Sequence, residues 1–135
     1  MRRFVIASHH LLACGLKGTL EFLTSKTDII EISAYMDERD LEEQIRCVFE
    51  TFSQEDEVVI MTDMLGGSVN QKFYSYMNDC RHLICGINLP CALSLVLQPE
   101  DRPLTKDQIG RIVEESRSHL IYVNEYHGSE DQEDE

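Results

Sequence analysis

Three short segments carry the residue types that could do chemistry: Ser8-His9-His10, Asp63-Met64-Leu65-Gly66-Gly67-Ser68 and Asn88-Leu89-Pro90. A histidine with a carboxylate on one ring nitrogen has its tautomer fixed, and its other nitrogen is left as a nucleophile. The carboxylate also stabilises positive charge developing on the ring. Gly66-Gly67-Ser68 offers accessible backbone N–H groups and a hydroxyl, which suit an anion. His9 precedes a predicted helix, whose first N–H groups favour negative charge as well. A histidine nucleophile, an orienting acid and donors for an anion together describe a phosphohistidine carrier, with His9 and Asp63 catalytic and His10, Gly66, Gly67 and Ser68 around the phosphate.

Each segment follows a predicted strand, and that is what would bring them together. Phe4 to Ala7 reads as a short buried strand, followed by a helix from about His10 to Thr24 with Leu11, Leu12, Leu16, Leu20 and Leu23 at helical spacing. Ile29 to Ala34 is a second strand, and Asp40 can cap a helix running through Phe52. Val58 to Met61 is the most apolar strand; after Met64-Leu65-Gly66-Gly67-Ser68 a helix runs to about Asn78. His82 to Ile87 makes a fourth strand, with a helix beginning near Pro90. A last helix spans Leu104 to about Ser118 with Thr105 as its cap, and Leu120 to Val123 reads as a closing strand. Strand and helix in alternation predict an α/β fold: a mostly parallel four-stranded sheet with helices on both faces. Such sheets hold their sites beyond the carboxyl ends of the strands, near a reversal in strand order.

Composition narrows the partners. The chain has 135 residues, 42% of them apolar and 27% charged, so one folded domain is expected rather than a disordered chain. Its formal charge is −13, which disfavours nucleic acid and anionic membranes and favours a basic protein partner. Five of those charges lie in Ser129 to Glu135, so residues 1–126 read as the domain and 127–135 as an acidic disordered tail. The five cysteines (Cys14, Cys47, Cys80, Cys85 and Cys91) form no C-x-x-C pair and read as small buried residues in a reducing cytoplasm. His82, His119 and His127 lack an acidic or glycine-rich setting and read as surface residues. Arg2-Arg3 with Leu11-Leu12-Ala13-Cys14 imitates a lipoprotein export signal, but Ser8-His9-His10 interrupts its apolar run. No Gly-rich loop ends in Lys-Ser or Lys-Thr, and no G-x-G-x-x-G follows the first strand, so the phosphoryl donor is expected to be a phosphoprotein. No cofactor or metal is required, because positioned N–H donors can stabilise transfer between two nitrogens.

Val5-Ile6-Ala7-Ser8-His9, Asp63 to Ser68 and Gly86-Ile87-Asn88-Leu89-Pro90 resemble three hallmark segments of the IIA domain of the mannose-type (mannose/fructose/sorbose) sugar phosphotransferase system. Order and spacing agree over nearly the whole chain outside the acidic tail. The resemblance implies that His9 accepts a phosphoryl group from the histidine-containing phosphocarrier protein and passes it to a IIB component. The IIC and IID membrane subunits would be served only indirectly. It implies Asp63 as the partner of the active histidine, and a homodimer that exchanges its C-terminal strand. His10 departs from the pattern, standing where the family often has glycine or another small residue, and Val69 replaces a common proline.

Two neighbouring readings compete. The phosphocarrier subunit of dihydroxyacetone kinase resembles the same family and would use the same chemistry. A receiver domain would phosphorylate an aspartate placed like Asp63, but it needs an acidic pair after the first strand to hold Mg²⁺, where this chain has Ser8-His9-His10.

Overall fold

The computed structural model describes residues 1–64 and 66–127. Four parallel strands, β1 (Arg2–His9), β2 (Ile30–Ala34), β3 (Glu57–Thr62) and β4 (Arg81–Cys85), lie in the order β2-β1-β3-β4. The helices are α1 (Leu12–Thr24), α2 (Leu41–Glu50), α3 (Ser68–Gln71), α4 (Leu89–Val96) and α5 (Lys106–Arg117).

Strands covered on both faces need apolar side chains pointing both ways, which is why β1 and β3 read as unbroken apolar runs. Phe4 and Ile6 of β1, with Val59 and Met61 of β3, face a core completed by Ala13 and Leu20 of α1 and Ala92 and Leu95 of α4. Val5, Ala7, Val58 and Ile60 face the opposite core, with Leu41, Ile45 and Phe49 of α2 and with Val69 and Phe73. After β1 the chain builds outward to β2, then crosses back to place β3 on the other side of β1. The strand order therefore reverses between β1 and β3, whose register pairs Ala7 with Thr62. That register puts the residue after β3 beside the last residues of β1.

The amino-terminal edge of the sheet is held by a buried ion pair. The Arg2 guanidinium donates to Glu57 Oε1 at 2.6 Å and to the carbonyls of Gln98, Pro99 and Arg102 at 2.9–3.2 Å. Glu57 Oε2 in turn accepts the Leu104 N–H at 2.8 Å, so the turn before α5 is tied to β1 and β3. Removing one partner of such a pair strands the other without solvent. Arg2→Met is therefore expected to cost about 3–5 kcal/mol of stability in denaturant unfolding. Because this cluster lies at the opposite end of the sheet from His9, the contacts of His9 should be undisturbed in the variant. A loss under about 1 kcal/mol would show that the pair contributes no more than a surface one.

Several expectations need correction. The helix predicted to reach Asn78 stops at Gln71 and gives way to a single 3₁₀ turn at Tyr74–Tyr76. Phe73 is fully buried and Tyr76 stacks on Phe49 at 4.4 Å, so the chain bends to seat both rings on the α2 side. Leu120 to Val123 is not a strand: it is irregular chain leading into a 3₁₀ turn at Val123–Glu125, with Leu120 90% exposed. A strand exists only against a neighbour, and this segment joins neither sheet edge of its own chain.

Of the cysteines only Cys91 is buried; Cys14, Cys47 and Cys80 are exposed and Cys85 is half-buried. Each residue turns about 100° from the last in a helix, which carries Cys14 off the face that buries its neighbour Ala13. His82 is not a surface residue either. In register with Val59, its side chain is 10% exposed, and Nε2 lies 3.4 Å from Glu57 Oε2 without a hydrogen bond among the described residues. His119 and His127 are exposed as expected. No helix of the described residues is long and apolar enough to cross a membrane. Apart from His127, the expected acidic tail lies outside the described residues.

Candidate functional site

His9 ends β1 and Asp63 directly follows β3, so the two central strands deliver them to one point. Asp63 Oδ2 accepts two donors from the same residue, the His9 backbone N–H and ring Nδ1, each at 2.8 Å. One contact fixes where the histidine is and the other fixes how its ring is turned. With Nδ1 engaged, Nε2 is the nitrogen left for chemistry. The His9 side chain is 37% exposed, within reach of another protein, whereas that of Asp63 is only 10% exposed.

Burial pushes the Asp63 carboxyl up, but the His9 backbone N–H, the His9 ring and the adjacent backbone N–H outweigh it and hold the group below its ordinary 3.8. Asp63 is therefore an anion at neutral pH. A carboxyl depressed by folding contributes stability that is fully present above its unfolded pKa and is lost as pH falls through the lower native value. The stability difference between wild type and Asp63→Asn should thus be largest above about pH 4 and shrink below it. Parallel unfolding curves at stepped pH would measure this, and a difference that grew on acidification would contradict it.

The turn after β1 is built to present His9. Leu11 caps α1 without a side-chain hydrogen bond. Buried Ser8 supplies one instead, its Oγ accepting the Ala13 N–H at 2.7 Å and donating to the His10 carbonyl at 3.2 Å. His10 turns with φ +57, and its N–H donates to Ala34 O at 2.8 Å. That left-handed conformation suits glycine best and histidine better than most residues. The His10 side chain is exposed, and its ring makes no hydrogen bond among the described residues.

On the other side, Thr62 Oγ1 donates to Asn70 Oδ1 at 2.6 Å and Asn70 Nδ2 donates to Tyr74 Oη at 3.2 Å, anchoring α3 beneath the end of β3. Gly67 precedes α3 and presses on the histidine. A Cβ there would lie 2.8 Å from His9 Cε1, although φ is an ordinary −82° that alanine adopts freely. Gly67→Ala is consequently a steric test without backbone strain. Because Asp63 holds Nδ1, next to Cε1, the ring cannot yield without loosening that bond. Any reaction carried by the His9 ring should slow about 10²-fold, with little loss of stability. Rapid-quench rates would check this; an unchanged rate would mean that the ring shifts without consequence.

Gly66 and Ser68 are exposed beside it. Tyr35, the residue after β2, was not singled out in the sequence. Its hydroxyl shares a 2.5 Å hydrogen bond with Ser68 Oγ, and its ring centroid lies 5.7 Å from that of His9. The rule that sites follow strand ends covers β2 as well and would have reached it. Asn88, by contrast, serves structure: its side chain accepts the Cys91 N–H and donates to the Ser116 carbonyl, both at 2.9 Å, joining α4 to α5. Leu89 borders a mainly apolar groove of about 550 Å³ with Leu11 and Leu12. A larger depression of about 810 Å³ lies between α1 and α2, lined by Cys14, Met36 and Cys47, and contains neither His9 nor Asp63.

No curated protein matches the chain. Among solved structures, it is similar to a protein described as a phosphoenolpyruvate-dependent sugar phosphotransferase system permease from Klebsiella pneumoniae, at 31% identity over 92% of each chain and a TM-score of 0.82. The fold is shared with the IIA protein associated with the fucose utilization operon of Streptococcus pneumoniae, at 22% identity and a TM-score of 0.75, covering 91% of this chain and 93% of that one. It is shared too with the mannose/sorbose-specific IIA subunit of Enterococcus faecalis, at 12% identity and a TM-score of 0.72, covering 89% and 92%. The family model of the phosphotransferase system fructose IIA component matches residues 3–113, a span that includes His9, Asp63 and the Gly66–Ser68 turn, and the chain belongs to that mannose-type IIA family.

Proposed function

We propose that the protein is a phosphocarrier in which His9 Nε2 accepts a phosphoryl group from the histidine-containing phosphocarrier protein and passes it to a IIB component. The observation that carries this reading is the double contact of Asp63 Oδ2 with His9, both distances 2.8 Å. Asp63 accepts a hydrogen bond from Nδ1–H, so the ring bears its lone pair on Nε2. Nε2 attacks phosphorus while the N–P bond of the donor breaks, and the electron pair leaves with the donor imidazole. The product ring keeps its Nδ1 proton and gains positive charge, which the Asp63 carboxylate stabilises at contact distance. Reversal of these steps toward a second histidine or a cysteine of the acceptor discharges the group.

The remaining residues position and receive. To the Ser68 hydroxyl and the backbone around Gly66 and Gly67 we assign the phosphoryl oxygens, with His10 as the exposed neighbour. Transfer of this kind depends on alignment and electrostatics more than on covalent catalysis. Such an exchange takes place in the cytoplasm. The exposed apolar segment Leu120 to Val123 is suited to pair with a second copy, making a homodimer.

Incubation with phosphoenolpyruvate, the first enzyme of the system and its histidine phosphocarrier tests the reading. An acid-labile adduct on this chain, dischargeable by a IIB protein, is the expected result. No adduct under conditions that charge the phosphocarrier would overturn it.

A further inference from the structure

We infer that Tyr35 is a positioning residue of the phosphoryl site, aiming the Ser68 hydroxyl at the group carried by His9 and walling one side of the imidazole. The inference rests on the reading of His9 as the phosphoryl acceptor.

Three independent observations converge on it. The first is conformational. Tyr35 has φ +66, a left-handed geometry in which a bulky aromatic residue is strained. Burial does not account for it, because the residue is 55% exposed. What holds the turn is the bond from the His10 N–H to the carbonyl of Ala34, so the same contact shapes the backbone on both sides of the site. The second is the hydroxyl contact with Ser68 Oγ at 2.5 Å, which spans from the end of β2 to the start of α3. The third is the ring itself, 5.7 Å from the His9 ring and tilted by 33°. A more relaxed backbone at this position would carry the ring away from both.

The chemistry follows from donor counting. A serine hydroxyl has one proton to give and lone pairs to receive. When Tyr35 donates to Ser68 Oγ, the Ser68 proton is free to donate to a phosphoryl oxygen, and the relay strengthens both bonds. No proton changes owner: the N–P bond forms at His9 and breaks at the donor while both hydroxyls keep their hydrogens. A ring flanking the imidazole also limits the approach of water to phosphorus, which lengthens the life of the phosphohistidine.

The test compares wild type, Tyr35→Phe, Ser68→Ala and the double variant, reading the rate of phosphorylation by the phosphocarrier and the hydrolysis half-life of the adduct. Phenylalanine keeps the ring and removes only the hydroxyl. It should lower kcat about two- to tenfold, the range of one net hydrogen bond, with KM unchanged. Combined with Ser68→Ala it should add no further loss, because Tyr35 acts through that serine. Tyr35→Ala, which removes the ring as well, should shorten the adduct half-life beyond the effect of phenylalanine. Wild-type rates in Tyr35→Phe, or effects that multiply in the double variant, would overturn the inference and leave the phosphocarrier reading standing. A wild-type protein that is never labelled would overturn both.

Discussion

His9→Gln is expected to abolish phosphoryl labelling while leaving the fold unchanged. The side chain is 37% exposed, and a glutamine amide can donate to Asp63 Oδ2 in place of Nδ1, so the contact that ties β1 to β3 has a substitute. The backbone N–H of residue 9 donates to the same oxygen in either case. Stability should therefore change by less than about 1 kcal/mol, as for most substitutions outside the core. What disappears is the nucleophile, since an amide nitrogen has no available lone pair. His10→Gln is the control: it should label at a rate near wild type, because the Asp63 carboxylate is engaged by His9 and Met64 and the His10 backbone bond to Ala34 survives the change. Labelling of the His9 variant together with silence of the His10 variant would move the site by one residue.

Asp63→Asn should slow transfer by about 10²- to 10⁴-fold, the usual range for a lost acid–base or orienting partner. The reason is specific to the double contact. If the amide oxygen faces His9, both donors remain satisfied, but its NH₂ group then confronts the Met64 N–H that Oδ1 now accepts at 3.1 Å. The charge that stabilises the phosphorylated ring is lost in any case. With the amide reversed, NH₂ faces the His9 backbone N–H, and the ring must offer a bare Nδ1. Its proton then moves to Nε2, which can no longer attack. Nitrogen chemical shifts of His9 would separate the two outcomes, and single-turnover rates would give the size of the effect. A rate equal to wild type would remove Asp63 from the mechanism.

The parts of the architecture written as long apolar runs were legible. β1 and β3 are buried on both faces, so their runs need no tertiary information to be recognised, and the residues that follow them name His9 and Asp63. The capped helices were legible for the same local reason: Asp40 accepts the Glu42 N–H, and Thr105 closes a capping box with Gln108. Where packing decides, local pattern misled. α3 ends early because Phe73 and Tyr76 seek the face of α2, a demand that nothing within residues 68–78 announces. His82 was read as a surface residue for want of an acidic or glycine-rich setting, a criterion for chemistry rather than burial, whereas in β4 it shares a face with the buried Ile84. Tyr35 was passed over because a left-handed tyrosine is disfavoured locally, and what it meets lies far off in sequence, at His9 and at Ser68 33 residues away. Leu120 to Val123 reads as a strand, yet a strand's hydrogen bonds belong to its neighbour, and in a single chain there is none for it.

Nε2 of His9, freed by the grip of Asp63 on Nδ1, is the atom expected to carry the phosphoryl group. Phosphorus–nitrogen coupling in the ¹⁵N-labelled, phosphorylated protein reads this atom directly. A single phosphohistidine is expected, on His9, with phosphorus bonded to Nε2 and a proton retained on Nδ1. Phosphorus bonded to Nδ1, or to either nitrogen of His10, would contradict it.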